Sequence, residues 1–264
     1  MDGAGDGSEA GSLMDDRKSR EKAFHDVEYE DDSRWQRVDK YYSIRGARVR
    51  FFDEFIAARC RDRAVLEYGC GIGGYSLQLA RWGAKVTAMD ISETAIRRAR
   101  ESASAAGLTI DFRTMDAENL DFPDQAFDLT CGIGILHHLQ LERSFMEVAR
   151  TLKPDGAAIF MEPLGHNPLI NLYRRLTPQL RTVDEHPLKL ADFELARRHF
   201  ESVEVRAYHL LSLAGVPFRR FPFFPMLVRG LDQLDALLFR RLPITRRYAW
   251  FAVAVFRRPI TPGT

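Results

Sequence analysis

A chain of 264 residues, 45% hydrophobic and 11% aromatic, can bury one substantial core with an appended subdomain. No apolar run reaches the ~18 residues of a membrane-spanning helix, and the acidic, glycine-rich start "MDGAGDGSEAGSLMDD" is unlike a signal peptide, so the expectation is a cytoplasmic protein. The net charge of +1 hides opposite ends, with eleven Asp or Glu against four Lys or Arg between Met1 and Ser33, and ten Arg against two Asp between Arg206 and Arg258. Cys60, Cys70 and Cys131 are widely spaced and form no CxxC pair, which argues against a disulfide framework and against a zinc site.

Residues 1–23 carry few large apolar side chains and read as a disordered acidic tail. Residues 24–62 read as an N-terminal helical arm. Its aromatics begin at Phe24, and Val49, Phe52, Phe55 and Ile56 fall at helical spacing between Gly46 and Ala58. An alternation of strand and helix then starts. Ala64 to Leu66 is a buried strand running into a glycine loop, and Leu77, Leu79 and Ala80 begin a helix. "AKVTAMD" is a strand ending at Asp90, "SETAIRRARESASAAG" a helix with Ser92 as N-cap and Gly107 as stop, and "TIDFRTMD" a strand. "AFDLTCGIG" is a strand, "LERSFMEVARTLK" a helix stopped by Pro154, and "GAAIFMEP" a strand stopped by Pro163. Strand and helix alternating at this spacing predict an α/β fold, a doubly wound parallel sheet with helices on both faces.

The regularity breaks at 163–188, an expected ligand-contacting loop, and returns at the helix "KLADFELARRHF" and the strand "SVEVRAYHL", which close a core spanning 63–210. Residues 211–248 read as an inserted helical cap, with Leu231, Leu234, Leu238 and Leu242 as an inward stripe. Within it, "PFRRFPFFP" repeats proline with aromatics and arginines, which fits a lid over a hydrophobic or amphiphilic ligand or a peripheral contact with lipid headgroups. The chain ends at 249–264 with the strand "AWFAVAVF" and a short tail.

Gly69, Gly71, Gly73 and Gly74 sit at the first strand-to-helix turn, where backbone N–H groups and a helix N-terminus suit a polar ligand. Gly69, Gly71 and Gly74 satisfy the GxGxxG of dinucleotide binders, with Asp90 about 20 residues on. Glu67, Gly69, Gly71 and Gly73 equally satisfy ExGxGxG. An acid at Glu67 opposes a pyrophosphate and suits a ligand that carries an ammonium group.

The ExGxGxG loop, Asp90 in "AMDIS", "MDAENLDF", "FDLTCGIGILHHL" and "LKPDG" follow one another as in the class I S-adenosylmethionine-dependent methyltransferases, which the chain resembles over about 24–200. "FHDVEY" and "EPLGHNPLINLYRRLTPQLRTVDEHPL" resemble a small-molecule branch of that family, while Tyr68 departs from the usual aliphatic residue of the loop and is expected only to alter packing. The resemblance implies a mostly parallel seven-stranded sheet and S-adenosyl-L-methionine as the cofactor, with S-adenosyl-L-homocysteine as its product. Its contacts would come from Glu67, Gly69, Cys70, Gly71, Gly73, Asp90, Ile91, Asp116, Ala117, Gly132 and His137, with Asp90 on the ribose and Asp116 and Ala117 beside the adenine.

Transfer to a hydroxyl or nitrogen needs a base, and histidine suits it near neutral pH. The rim histidines His138, His166 and His186 are the candidate catalytic residues, with His25 a further possibility. Candidate acceptor contacts are Tyr41, Tyr42, Glu162, Asn167 and Arg181. A magnesium site from Glu162, His166, Asp184 and His186 is not favoured, and no metal is expected. The acceptor motif of DNA amino-methyltransferases is missing after the fourth strand, so no nucleic-acid partner is expected. The competing readings are an NAD-type enzyme and a catalytically idle fold serving as a partner-binding or membrane-binding module.

Overall fold

The structure is a computed structural model and describes residues 6–30, 43–178 and 184–260, with side chains from residue 16 onward. Seven strands form one sheet. In chain order they are β1 (Ala64–Tyr68), β2 (Lys85–Asp90), β3 (Asp111–Thr114), β4 (Phe127–Ile133), β5 (Leu152–Pro163), β6 (Phe200–Tyr208) and β7 (Phe251–Pro259). The spatial order is β3-β2-β1-β4-β5-β7-β6, parallel as far as β5, with β7 antiparallel to both β5 and β6. The mostly parallel, doubly wound sheet is therefore as the sequence implies.

Each strand feeds two cores because successive side chains point to opposite faces. Val65, Val86, Val253 and Val255 pack on one face with Phe52, Phe55 and Ile56 of α2 (Gly46–Ala57), Leu79 of α3 (Gly74–Arg81) and Ile96 of α4 (Glu93–Ala105). Leu66, Met89, Ala254 and Phe256 pack on the other with Phe145 and Val148 of α5 (Leu141–Thr151). This two-sided burial explains the unbroken apolar runs of the central strands. Ser92 caps α4, its hydroxyl accepting from the Ala95 N–H at 3.0 Å. Asn167 caps α6 (Pro168–Leu176), accepting from Leu169 and Ile170.

Four segments differ from their sequence expectations. Much of 1–23, expected to be disordered, belongs to a helix, α1 (Asp6–Glu28). It lacks an apolar stripe and is held instead by charged side chains that meet partners on the sheet end. The strand β5 begins at Leu152, ahead of Pro154, because Leu152 pairs with Phe127 across a register shift. Leu190–Arg198 is a 3-10 helix, whose buried Phe193 and Ala196 lie three residues apart on one face. In α7 (Phe224–Arg241) the buried positions are Val228, Asp235 and Phe239, while Leu234 and Leu242 are exposed, so the predicted leucine stripe is corrected. The face is chosen by Asp235, whose carboxylate accepts the N–H groups of Leu210, Leu211 and Ser212 at 2.7 to 3.2 Å.

Residues 211–248 are inserted between β6 and β7 and pack against β6, an edge of the sheet far from β2 and β3. Their position follows from the apolar ends of α7: Val228 enters one core and Phe239 the other.

Candidate active site

A cavity opens at the carboxyl ends of β1, β2 and β4, under α1. Its glycine wall depends on left-handed backbone at Gly69 (φ 75°) and Gly71 (φ 51°). A Cβ at Gly69 would come within 2.7 Å of Ile135, and one at Gly71 within 2.9 Å of the Tyr29 hydroxyl, so both positions also need the space. The Gly69 and Cys70 N–H groups each donate to the Met89 carbonyl at 2.9 Å, locking the loop to the end of β2.

Asp90 ties the loop from the other side. Its carboxylate accepts from the Gly71 N–H at 2.8 Å and the Ser92 N–H at 3.0 Å. Burial pushes its pKa up, and the Ser92 and Gly71 bonds pull it back. Glu67 lies beneath the loop and accepts from the Ser76 hydroxyl. Burial raises its pKa to about 8, so near neutral pH it is largely uncharged. The repulsion of a pyrophosphate by Glu67, argued from sequence, is therefore weak.

The far wall is built around Asp116. Its Oδ1 accepts from the Glu118 N–H at 2.9 Å, and its Oδ2 meets Lys18 Nζ at 2.5 Å. Glu118 is buried and accepts from the Gln140 N–H at 2.7 Å and from Arg17. Tyr68 does more than fill space: its hydroxyl donates to the Ala117 carbonyl and pins this wall to β1.

Beyond β4 the chain makes a 3-10 turn, Leu136–His138, held by Glu162. One oxygen of Glu162 accepts from the Ile135 and Leu136 N–H groups, both at 2.9 Å, and the other lies 2.7 Å from His137 Nδ1. The turn presents His138 to the cavity, its Nδ1 3.1 Å from Glu21 Oε2. His25 approaches the same carboxylate at 3.5 Å, and its ring centroid is 5.3 Å from that of His138. Burial, and then the neighbouring His137, lower the His138 pKa and keep the imidazole neutral near pH 7. Among the described residues, Glu21, His25 and His138 are the one group with the donor types and spacing of a metal site.

Of the residues singled out from sequence, His25, Gly69, Asp90, Ile91, Asp116, Ala117 and His138 line this cavity. Glu67, Cys70, Gly71, Gly73, Gly132 and His137 stand behind its walls. Glu162 and Asn167 have their side chains committed to the 3-10 turn and to the α6 cap, which leaves neither aimed at an acceptor. His166 and His186 are outside the cavity; His166 lies among Arg247, Lys189 and Asp192, and the His186 N–H donates to the His137 carbonyl. Asp184 is taken up by Arg20 at 2.8 Å. Tyr41, Tyr42 and Arg181 lie outside the described residues. No residue of 211–248 lines the cavity. Sequence reasoning missed Arg17, Lys18 and Glu21 of the N-terminal segment, which no motif contains, and gave no role to Tyr29 of "FHDVEY" or Glu118 of "MDAENLDF"; the signal available was the acidic pair Asp116 and Glu118 awaiting basic partners.

Comparison with known proteins agrees with this geometry. Residues 65–156 match the family model of the methyltransferase domain. The chain is 31% identical over 139 residues to a ubiquinone biosynthesis O-methyltransferase of Stutzerimonas stutzeri (strain A1501), covering 51% of this chain and 59% of that protein. It is 30% identical over 145 residues to ajmaline N-methyltransferase of Rauvolfia serpentina, covering 51% of this chain and 50% of that one. The chain thus spans between half and three-fifths of the length of these curated relatives. The fold is shared with phosphoethanolamine N-methyltransferase 2 of Haemonchus contortus, solved with phosphomonomethylethanolamine and S-adenosylhomocysteine, at a TM-score of 0.56 and 19% identity over 76% of this chain and 50% of that one.

Proposed function

We propose that the chain, whose residues 65–156 match the methyltransferase domain, is an S-adenosylmethionine-dependent methyltransferase acting on an oxygen, nitrogen or carbon of a small apolar or amphiphilic metabolite. The observation that carries this reading is the meeting of Asp90 and Asp116 with the Gly69 turn in one cavity. Two carboxylates at successive strand ends, with a backbone cradle between β1 and α3, match the hydroxyls, amine and zwitterion of an adenosyl-amino acid better than the two phosphates of a dinucleotide.

Asp90 would accept the ribose hydroxyls, Asp116 and the Ala117 backbone would face the adenine, and the Gly69 to Gly73 turn would receive the methionine end. When bound, the cofactor supplies an electrophilic methyl group on a sulfonium. The chain's own work is alignment and proton transfer. His138 is the base in this reading, because it is neutral, lines the cavity and has its Nδ1 against Glu21. Glu21 orients the ring and stabilises the imidazolium once the acceptor's proton arrives.

The test is calorimetric titration of the chain with S-adenosylmethionine and, in parallel, NAD. S-adenosylmethionine is expected to bind and Asp90→Ala to weaken it by ~1–3 kcal/mol, the usual result of leaving polar partners unpaired. Unchanged affinity in that variant, or tight binding of NAD instead, would overturn the assignment. Tritiated-methyl transfer into a metabolite extract then locates the acceptor. On an oxygen or nitrogen acceptor His138→Gln should lower turnover by about 10²–10⁴, far more than it weakens cofactor binding.

A further inference from the structure

The segment 211–248 takes no part in the cavity, yet it carries the most unusual surface of the molecule. Phe218, Phe221 and Phe223 are 42%, 53% and 44% exposed, and their ring centroids lie 5.3 to 6.2 Å apart. The three rings contact one another and form a half-exposed aromatic knuckle. Met226, one turn into α7, is 73% exposed, and Leu242 and Ile244 carry the apolar surface past the other end of the helix. An apolar face of this kind on a water-facing segment marks an interaction site.

The charge around it has one sign. Arg219 and Arg220 interrupt the phenylalanines, Arg229 follows Met226, and Arg240, Arg241 and Arg247 lie beside Leu242 and Ile244. None of these six forms an ion pair with a carboxylate among the described residues. The segment's two acids are turned to internal duties. Asp235 is buried under the N–H groups of Leu210 to Ser212, and Asp232 lies 3.7 Å from His209. A second apolar strip adjoins this face: Leu169, Leu172 and Leu176 of α6 are exposed, and the side chain of Asn167 at the start of α6 donates to the Tyr248 carbonyl at 2.7 Å.

We propose that the outward face of 211–248 is a docking surface for an anionic lipid bilayer. Exposed phenylalanines and a methionine insert at the headgroup boundary, and unpaired arginines remain at phosphate level, with their stems in the apolar layer. A second copy of the chain fits poorly, because a two-fold contact would set these arginines against themselves with no outward carboxylate to meet them. The contact is superficial, since no described helix is long and apolar enough to cross a membrane. The proposal is independent of the methyl-transfer reading, and vesicle binding needs neither acceptor nor cofactor.

The test is flotation of the full chain with vesicles of phosphatidylcholine alone or with about one-third phosphatidylglycerol, at low and at high salt. Binding is expected on the anionic vesicles at low salt only. The paired variant Phe221→Ser with Phe223→Ser, and separately Arg240→Gln with Arg241→Gln, should each weaken it by about tenfold or more, since one basic residue near such a surface is worth about fivefold. Circular dichroism melting confirms that each variant is folded, and the arginine pair decides the matter should the phenylalanine pair unfold. No flotation of the parent at low salt, equal flotation on neutral vesicles, or folded variants that bind like the parent would overturn the proposal. So would a dimer in gel filtration that the phenylalanine variant splits, because a second copy would then cover the face.

Discussion

Glu162 beneath the cavity and Lys18 above it are both charged side chains that hold the site together, but they are bound into the molecule in different ways. Glu162 is wholly buried and meets two backbone N–H groups and an imidazole. Lys18 is partly exposed and meets two carboxylates, Asp116 at 2.5 Å and Glu118 at 3.5 Å. The same contrast runs through their surroundings. The floor is laid by Asp90, Glu162 and the Tyr68 hydroxyl, all within the packed sheet. The roof, α1, is fastened by Arg17 to the buried Glu118 and, closer to solvent, by Lys18 to Asp116, Arg20 to Asp184 and Lys22 to Glu93. Buried charge with several donors fixes geometry and is expensive to disturb, whereas exposed ion pairs are weak and yield to salt. A site with a rigid floor and a loosely latched roof can hold its walls while it admits a ligand.

The sharpest way to break this comparison is to remove the floor's central carboxylate. Glu162→Ala leaves the Ile135 and Leu136 N–H groups and His137 without their acceptor inside a dry core. The expected loss is about 3 kcal/mol or more of folding stability, from stranded donors and a broken buried pair. Urea unfolding followed by circular dichroism reads it directly. A loss below ~1 kcal/mol would mean that the 3-10 turn is held by its packing and that the floor is no more rigid than the roof.

A second floor residue makes the contrast depend on pH. Glu67 has its pKa raised by burial to about 8, above the usual 4.5. The folded state therefore prefers the protonated acid, and the unfolded chain releases that proton more readily. Stability owed to this group is full below about pH 4.5 and is lost as pH climbs through about 8. Glu67→Gln should remove that loss, so that the variant gains on the parent by roughly 3–4 kcal/mol between pH 5 and 8. Unfolding midpoints at four pH values across that window decide it, and parallel profiles for the two proteins would show that Glu67 ionises normally in the fold.

The floor was far more legible in the sequence than the roof, for a physical reason. Strand, turn and helix around Gly69, and the acids closing β2 and β3, are written in consecutive residues, so periodicity and spacing suffice to place them. Arg17 and Lys18 lie about one hundred residues from their partners Glu118 and Asp116 and belong to a helix with no apolar face, so no local pattern marks their role. Tyr68 failed in the same way: its local position suggested packing, and its hydroxyl bond spans 49 residues to Ala117. In α7 the error was one of angle. Leucines at helical spacing pointed to one face, but the buried Asp235 turned another inward.

The smallest expected effect concerns the roof. Arg20, Lys22 and Glu93 are largely open to water, and their pairs are screened once the Debye length falls well below about 10 Å. Raising salt should leave the global unfolding midpoint almost unchanged, because the two cores and the floor's buried bonds carry the fold. The amides of Arg20 to Glu28 should nevertheless exchange with deuterium about tenfold faster at high salt than at low, as α1 opens locally on its own. Amides of β4 and β5 serve as the internal reference and should not respond. Adding S-adenosylmethionine should slow exchange in α1 again, since Lys18, Glu21, His25 and Tyr29 line the cavity it would fill. If α1 exchanges as slowly as β4 at every salt concentration, its short bonds from Arg17 to Glu118 and from Arg98 to the Tyr29 carbonyl outweigh the exposed pairs, and the roof belongs to the floor's class of structure.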